Sequence, residues 1–378
     1  MQRVRMGMVG GGEGAFIGPV HRIAAELDGF VELVCGAFAS DPERSVRSGQ
    51  SVYGLPPARC YPDFDTMYAA EQALPADERM QFVAIVTPNH VHFPAAQAAL
   101  SAGFHVLCDK PLATTVENSN ALAEHAHKQG LLFGVTYNYT GYPMIREARQ
   151  RIHSGELGKI RRVVVEYLQG WLSQSEERGD NKQALWRTDP QQAGAAGCFG
   201  DIGSHAENLL HFVTGLEITE LCADLSIFGE GRTLDDDGNV LLRLANGARG
   251  VLFASQIAVG EANGLRLRVY GERGGLSWQQ ETPNELRLSW PDRPIELVHT
   301  GTGNVGISAG DATRLPAGHP EGFLEAFANV YRGFAQSVAS NASTLHDCPD
   351  IEDGVRGMKF IEAVVASSNA GGVWRPLN

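Results

Sequence analysis

Val9-Gly10-Gly11-Gly12-Glu13-Gly14-Ala15-Phe16-Ile17-Gly18 closes an apolar strand candidate, Val4-Arg5-Met6-Gly7-Met8-Val9, and opens a helical stretch containing His21. Glycines at a strand-to-helix junction allow a tight turn and let the backbone approach a pyrophosphate, whose charge is met by the helix N-terminus. A glycine cluster alone is a weak signal. Its place after a strand and inside a βαβ unit makes this a dinucleotide-binding loop, with Gly10, Gly12, Gly14, Phe16 and Ile17 as expected cofactor contacts. The spacing is looser than G-x-G-x-x-G, as if residues were inserted before Gly18.

Outward from the loop, further apolar strands are read at Val31–Phe38, Phe82–Val86, Phe104–Leu107 and Leu131–Val135, with helices at Pro94–Ala102 and Val116–Gln129. Strands alternating with helices imply a parallel sheet. After about residue 140 the pattern changes. A helix at Pro143–Ser154 leads to a β-branched strand, Ile160–Gln169, and then strands at Leu221–Phe228, Asn239–Leu244, Gly250–Val259 and Leu265–Tyr270, with Asn246-Gly247 as a hairpin turn. Closely spaced strands joined by turns favour a mostly antiparallel sheet. Late helices near Glu321–Arg332 and Gly354–Ser367 either cover that sheet or return to the first domain.

The chain has 378 residues, enough for two domains, and its 43% hydrophobic content fits a globular protein. Its net charge of −13 argues against nucleic acid and anionic membrane surfaces as partners, since both require a basic footprint. Six scattered cysteines form no CxxC pair, so neither a zinc site nor a disulfide framework is expected. Met1-Gln2-Arg3-Val4-Arg5-Met6 runs into the first strand without an export-type apolar segment, and a cytoplasmic location is the expectation.

Several polar residues stand at the carboxyl ends of these strands, where parallel sheets bind ligands. Lys110, in Cys108-Asp109-Lys110-Pro111, closes one strand and is a catalytic candidate; by itself it reads first as a lysine that snorkels at the strand end or pairs with Asp109. After the second strand, Ser40 with Arg44 suits the 2′-phosphate of NADP, whereas Asp41 suits the ribose of NAD, so both cofactors stay open. Thr87-Pro88-Asn89 is expected beside the cofactor, and His92 is either a ligand contact or a structural helix-start histidine. In Gly200-Asp201-Ile202-Gly203-Ser204-His205, Asp201 and His205 are four residues apart and share a face if a helix begins there. Histidine then serves as proton acceptor with the carboxylate as its orienter; the alternative is an Asp201 N-cap beside a buried histidine.

The glycine loop, Thr87-Pro88-Asn89-His90, Ala102–Ala113 and Gly200–His205 together resemble the Gfo/Idh/MocA oxidoreductase family over nearly the whole chain, in the right order. The resemblance implies an N-terminal Rossmann domain (residues 1–140) and a C-terminal α+β domain (141–378) with a large, mostly antiparallel open sheet through which homo-oligomers, dimers or tetramers, form. In that family a Glu-Lys-Pro lysine, often followed by a cis peptide, and an Asp-x-x-x-His pair make the catalytic centre, matching Lys110, Asp201 and His205. Asp109 stands where glutamate is usual. By their positions at strand and helix ends, Asn138, Trp186 and Arg187 are expected with Asp109 and Lys110 at the cofactor, and Tyr139 and His319 with the catalytic residues at the substrate; the alternatives are a polar strand end for Asn138 and Tyr139 and plain packing for Trp186. The implied reaction is hydride transfer between NAD or NADP and a ring carbon of a sugar, cyclitol or related polyol. NAD-assisted glycoside hydrolysis and non-catalytic cofactor sensing remain as alternatives, and no metal is expected.

Overall fold

A computed structural model describes residues 3–377. Met1 and Gln2, the start of the stretch read for export signals, lie outside the described residues, as does Asn378. The chain forms two compact units. One runs to Asn138 and regains Leu324–Val355; the other comprises Tyr139–Phe323 and the chain from Arg356 onward. Of the late helices, whose placement the sequence left open, Phe323–Ala339 therefore lies almost wholly in the first unit.

The first unit alternates β1 (Val4–Gly10), α1 (Ile17–Glu26), β2 (Val31–Ala37), α2 (Pro42–Ser51), α3 (Phe64–Ala73), β3 (Phe82–Val86), α4 (Asn89–Ser101), β4 (His105–Cys108), α5 (Val116–Gln129) and β5 (Phe133–Val135). The five strands pair in parallel in the order β2-β1-β3-β4-β5. From β1 the chain goes outward to β2 and then returns to lay β3 on the other side of β1. This reversal opens a crevice at the carboxyl ends of β1 and β3. Every residue of β3 is buried, as a central parallel strand covered on both faces requires. Phe334 packs against Phe82 of β3 with its ring tilted by 58° and the centroids 5.1 Å apart.

Helix α4 begins five residues before the Pro94 start expected from sequence. Pro94 is the sixth residue of the helix, where its missing N–H forfeits one intrahelical hydrogen bond, and Pro88 supplies an extended N-cap. The sequence reading had no counterpart for α2. Val46 is its lone aliphatic side chain, so no apolar stripe marks it.

The second unit is built on nine strands: β6 (Ile160–Leu168), β7 (Ile218–Ser226), β8 (Asp237–Leu244), β9 (Arg249–Ser255), β10 (Gly264–Gly271), β11 (Gly275–Gln279), β12 (Glu285–Ser289), β13 (Glu296–His299) and β14 (Arg375–Pro376), in the order β13-β12-β11-β10-β6-β9-β8-β7-β14. All neighbours are antiparallel except β6 and β9. Asn246 and Gly247 form the β8–β9 turn, Asn246 Oδ1 accepting from Ala248 N at 2.8 Å. Helices α6 (Pro143–His153), α7 (Lys182–Arg187), α8 (Pro190–Ala193), α9 (Ser204–Thr214), α10 (Ile307–Asp311), α11 (Phe323–Ala339) and α12 (Ile351–Asn369) complete the helical set. Along β8, Val240 and Leu242 are buried while Leu241 between them is half exposed, so the strand has one covered and one open face. All six cysteines are free thiols. No helix among the described residues is long and apolar enough to cross a membrane.

The start of α1 meets the end of β1 backbone against backbone. A Cβ on Gly11, whose φ is +75°, would sit 2.7 Å from the Gly18 Cα, and one on Gly18 would collide with Gly11 in return. The Tyr53 hydroxyl donates to the Gly11 carbonyl and fixes the turn. Gly18→Ala is expected to push α1 off the loop at about 1–3 kcal/mol. Thermal denaturation should show the loss of stability, and fluorescence titration should show weaker NADH binding.

Candidate active site

In the first unit the glycine loop leads into α1 with Phe16 at the N-cap, no side-chain cap and no acidic residue in the first turn. Uncapped amides at a helix N-terminus, approached by a backbone without Cβ atoms, suit an anionic pyrophosphate. Phe16 is exposed and Ile17 half-buried. Gly10 and Gly14 both take positive φ, and Gly12 packs against the Phe38 carbonyl, where a Cβ would lie 2.5 Å away. Across the β1–β3 crevice, the Thr87 Oγ1 is buried without a hydrogen-bond partner. So is the Nδ2 of Asn138, in the turn after β5. Two orphaned polar atoms at the carboxyl side of a parallel sheet fit a dinucleotide that supplies their partners. Pro88 caps α4 and Asn89 begins it. Beyond β2, Ser40 is exposed; Asp41 Oδ1 accepts from Arg44 N at 2.7 Å, so Asp41 is the N-cap of α2.

The Lys110–Pro111 peptide is cis. Asp109 Oδ1 accepts from Lys110 N at 2.9 Å and from Thr136 Oγ1 at 2.8 Å, while Oδ2 lies 3.9 Å from His21 Nε2. Burial pushes the Asp109 carboxyl's pKa up, but His21, Lys110, His92 and the Thr136 hydroxyl together bring it below its ordinary value. The carboxylate therefore stays charged against the backbone of Lys110. His21 is fully buried, its Nδ1 2.8 Å from the Tyr331 hydroxyl and its ring edge-on to Phe327. His92 is also fully buried, with Nδ1 2.8 Å from the Pro111 carbonyl oxygen and Nε2 3.0 Å from that of Thr87. His92 thus sits between two strand ends, each ring nitrogen facing a backbone carbonyl.

In the second unit, Asp201 lies in a π-helical turn, Phe199–Gly203, that runs directly into α9, and His205 is the second residue of α9. Neither segment has a side-chain cap, so Asp201 is not the N-cap that the sequence allowed. Its Oδ2 accepts from Arg187 Nε at 3.1 Å and from Gln256 Nε2 at 2.9 Å. Arg187, expected at a cofactor, is thus seen here against Asp201, with its guanidinium 4.2 Å above the Trp186 ring. Trp171 Nε1 donates to Gln169 Oε1 at 2.9 Å. His205 is mostly buried, with the Tyr139 ring edge-on to it at 4.8 Å. The Tyr139 hydroxyl pairs with that of Tyr167 and accepts from Asn263 Nδ2 at 3.2 Å, so this phenol backs the histidine ring. Burial raises the Tyr139 pKa, although Tyr167 and Asn263 act against it. His319 is exposed in a loop, its Nδ1 3.2 Å from the Pro316 carbonyl.

Sequence reasoning missed Tyr53, Thr136, Tyr167, Gln169, Gln256 and Asn263 as supports of these residues. Polar residues scattered over several strands leave no spacing signal. No cluster of metal-ligating side chains occurs among the described residues.

A family profile described as "Oxidoreductase family, NAD-binding Rossmann fold" matches residues 4–137, and the "GFO/IDH/MocA C-terminal domain" matches residues 145–277. The chain is 35% identical to "Uncharacterized oxidoreductase YfiI" of Bacillus subtilis, over 98% of this chain and 96% of that protein. It is 27% identical to levoglucosan dehydrogenase of Pseudarthrobacter phenanthrenivorans, over 97% of each chain. An inositol dehydrogenase homolog from Azotobacter vinelandii, solved with NAD+, superposes with a TM-score of 0.95 at 37% identity, covering 99% of this chain and 97% of the other. An Azotobacter vinelandii inositol dehydrogenase homolog solved with NADH and myo-inositol superposes with a TM-score of 0.93 at 36% identity, covering 99% of this chain and 98% of the other.

Burial lowers the pKa of His21 and of His92 below 6.5, with Asp109 opposing the shift in both. A depressed folded-state value favours the neutral ring, so its contribution is complete above the unfolded value and is lost as pH falls through the folded one. The stability advantage of wild type over His21→Gln is therefore expected to shrink from about pH 8 to about pH 5. Melting curves of both proteins across that range check it; a constant difference would contradict the neutral assignment.

Proposed function

Because the chain belongs to the Gfo/Idh/MocA oxidoreductase family, we propose that it is an NAD(P)-dependent dehydrogenase, or reductase, acting on a ring carbon of a sugar, cyclitol or related polyol or ketose. The observation that carries this reading is His205, backed by Tyr139 and one turn from an Asp201 fixed by two donors, in a chain whose first unit has the NAD-binding Rossmann fold. The names of the levoglucosan and inositol relatives support the substrate class.

A dinucleotide bound in the first unit would supply the hydride acceptor or donor. The amides at the start of α1 and the loop of Gly10, Gly12 and Gly14 would hold its pyrophosphate, and Thr87 and Asn138 would offer it their unused polar atoms. Ser40, Asp41 and Arg44 stand where NAD and NADP differ. His205 takes the proton of the substrate hydroxyl, and the Asp201 carboxylate stabilises the imidazolium that results. Lys110, its backbone held by Asp109, stabilises the developing oxyanion. His92 sets the Pro111 segment and so acts on Lys110 from behind. The open face of the nine-stranded sheet, with Leu241, Tyr270 and Leu297 exposed, is read as a homo-oligomer surface, and the enzyme as cytoplasmic.

The test is a panel of monosaccharides, inositols and anhydrosugars, with NAD and NADP in parallel, followed by absorbance of the reduced nicotinamide. Turnover of at least one polyol is expected; failure with all of them would overturn the substrate class. Lys110→Ala, Asp201→Asn and His205→Ala should each lower kcat about 10²–10⁴-fold while NADH binding persists. Normal turnover in these variants would refute the catalytic assignment. Light scattering that shows a strict monomer would overturn the oligomer reading.

A further inference from the structure

The π-helical turn carrying Asp201 is entered through three successive amides, those of Gly197, Cys198 and Phe199, and all three are taken by one residue. Asp235 Oδ1 accepts from Gly197 N at 2.7 Å, its carbonyl oxygen from Cys198 N at 2.8 Å, and its Oδ2 from Phe199 N at 2.8 Å. Asp201 N then bonds back to the Gly197 carbonyl at 2.9 Å, closing the first turn. Helical starts leave their first amides without partners, and a wide turn lacking a capping side chain of its own needs them met from elsewhere. The approach is close enough that a Cβ on Gly197 would collide with the Asp235 carbonyl. Asp235 is itself almost fully buried.

We propose that Asp235 is a positioning residue for the reaction, clamping the entrance of the Phe199–Gly203 turn so that Asp201 and His205 keep their working orientation. The inference rests on the reading of Asp201 and His205 as the acid–base pair. Two donors aim the Asp201 carboxylate, Arg187 from α7 and Gln256 from the end of β9. Neither fixes the backbone on which Asp201 rides. Asp235, just before β8, does so.

The clamp has a cost that supports a functional reason for keeping it. Burial is the main cause that raises the Asp235 carboxyl to about 6, and the Asp236 charge adds to it, while the amides of Phe199 and Gly197 oppose it. An acid whose folded value lies above its unfolded value of 3.8 contributes stability that is lost as pH rises through about 6. The charged clamp at neutral pH is thus held against stability. The titratable groups coupled to Cys198, the residue between the clamped amides, are Asp235, Asp201, Asp236 and Asp237. Asp236 is engaged by Arg232 and by the amides of Phe228 and Gly229.

The test compares Asp235→Asn with Asp201→Asn and wild type in steady-state kinetics, NADH titration and amide hydrogen exchange over residues 196–204. Asn keeps one acceptor and turns an amino group toward the other amide. In Asp235→Asn, kcat is expected to fall about tenfold or more with NADH affinity within about twofold. Exchange over the turn should quicken, and the component of the acidic kcat limb belonging to Asp235 should vanish. A folded Asp235→Asn with unchanged kcat, beside an inactive Asp201→Asn, would overturn this inference alone. An active Asp201→Asn would overturn the acid–base reading and this inference with it. Should Asp235→Asn fail to fold, wild-type exchange decides: Gly197 and Phe199 amides protected at neutral pH support the clamp, and amides exchanging at loop rates refute it.

Discussion

The contact of Gly11 on Gly18 sets the geometry of the whole first unit. No side chain intervenes, so α1 starts as near to the end of β1 as two backbones allow. That distance brings the helix N-terminus into the crevice opened by the β1–β3 reversal, where uncapped amides can meet an anion. It also fixes the register of α1, which places His21 with Tyr331 on one side and Asp109 on the other. The turn that shapes the nucleotide loop is therefore tied through one buried ring to the segment bearing Lys110.

The second unit solves its own positioning problem with side chains. Asp201 is aimed by a guanidinium and an amide, and His205 is braced by a phenol whose hydroxyl is shared with Tyr167 and Asn263. A carboxylate accepting two charged or polar donors is held in one orientation, as the role proposed for His205 requires of its partner. Networks of this kind work only when every member is satisfied, so their tolerance of substitution is low.

The parallel sheet was legible because its strands are continuous apolar runs ending in chemistry-bearing motifs, and Val116–Gln129 emerged with the ends expected, marked by Thr115 and Gly130. β11 to β14 escaped notice: they are short, and β12 alternates Leu286 and Leu288 with charged and polar residues over only five positions. Motif residues such as Lys110, Asp201 and His205 announce themselves in local sequence. Their supports do not, since Gln256, Asn263 and Asp235 are far from them along the chain. Asp235-Asp236-Asp237 was visible as an acidic run before a strand, but nothing local shows that its first member faces inward to backbone amides.

Leu324–Val355 belongs with the residues that precede Asn138. Val135 of β5 donates to the Pro349 carbonyl, and Phe82 finds its aromatic neighbour in Phe334. The first unit is thus discontinuous in the gene, interrupted by Tyr139–Phe323 of the second, whose remainder follows Val355. During synthesis the nucleotide-binding core must wait, incomplete, until the ribosome has made all of Tyr139–Phe323. Anyone recombining such chains would have to exchange the second unit at three junctions, because a single crossover near residue 140 would orphan the helix that covers β3.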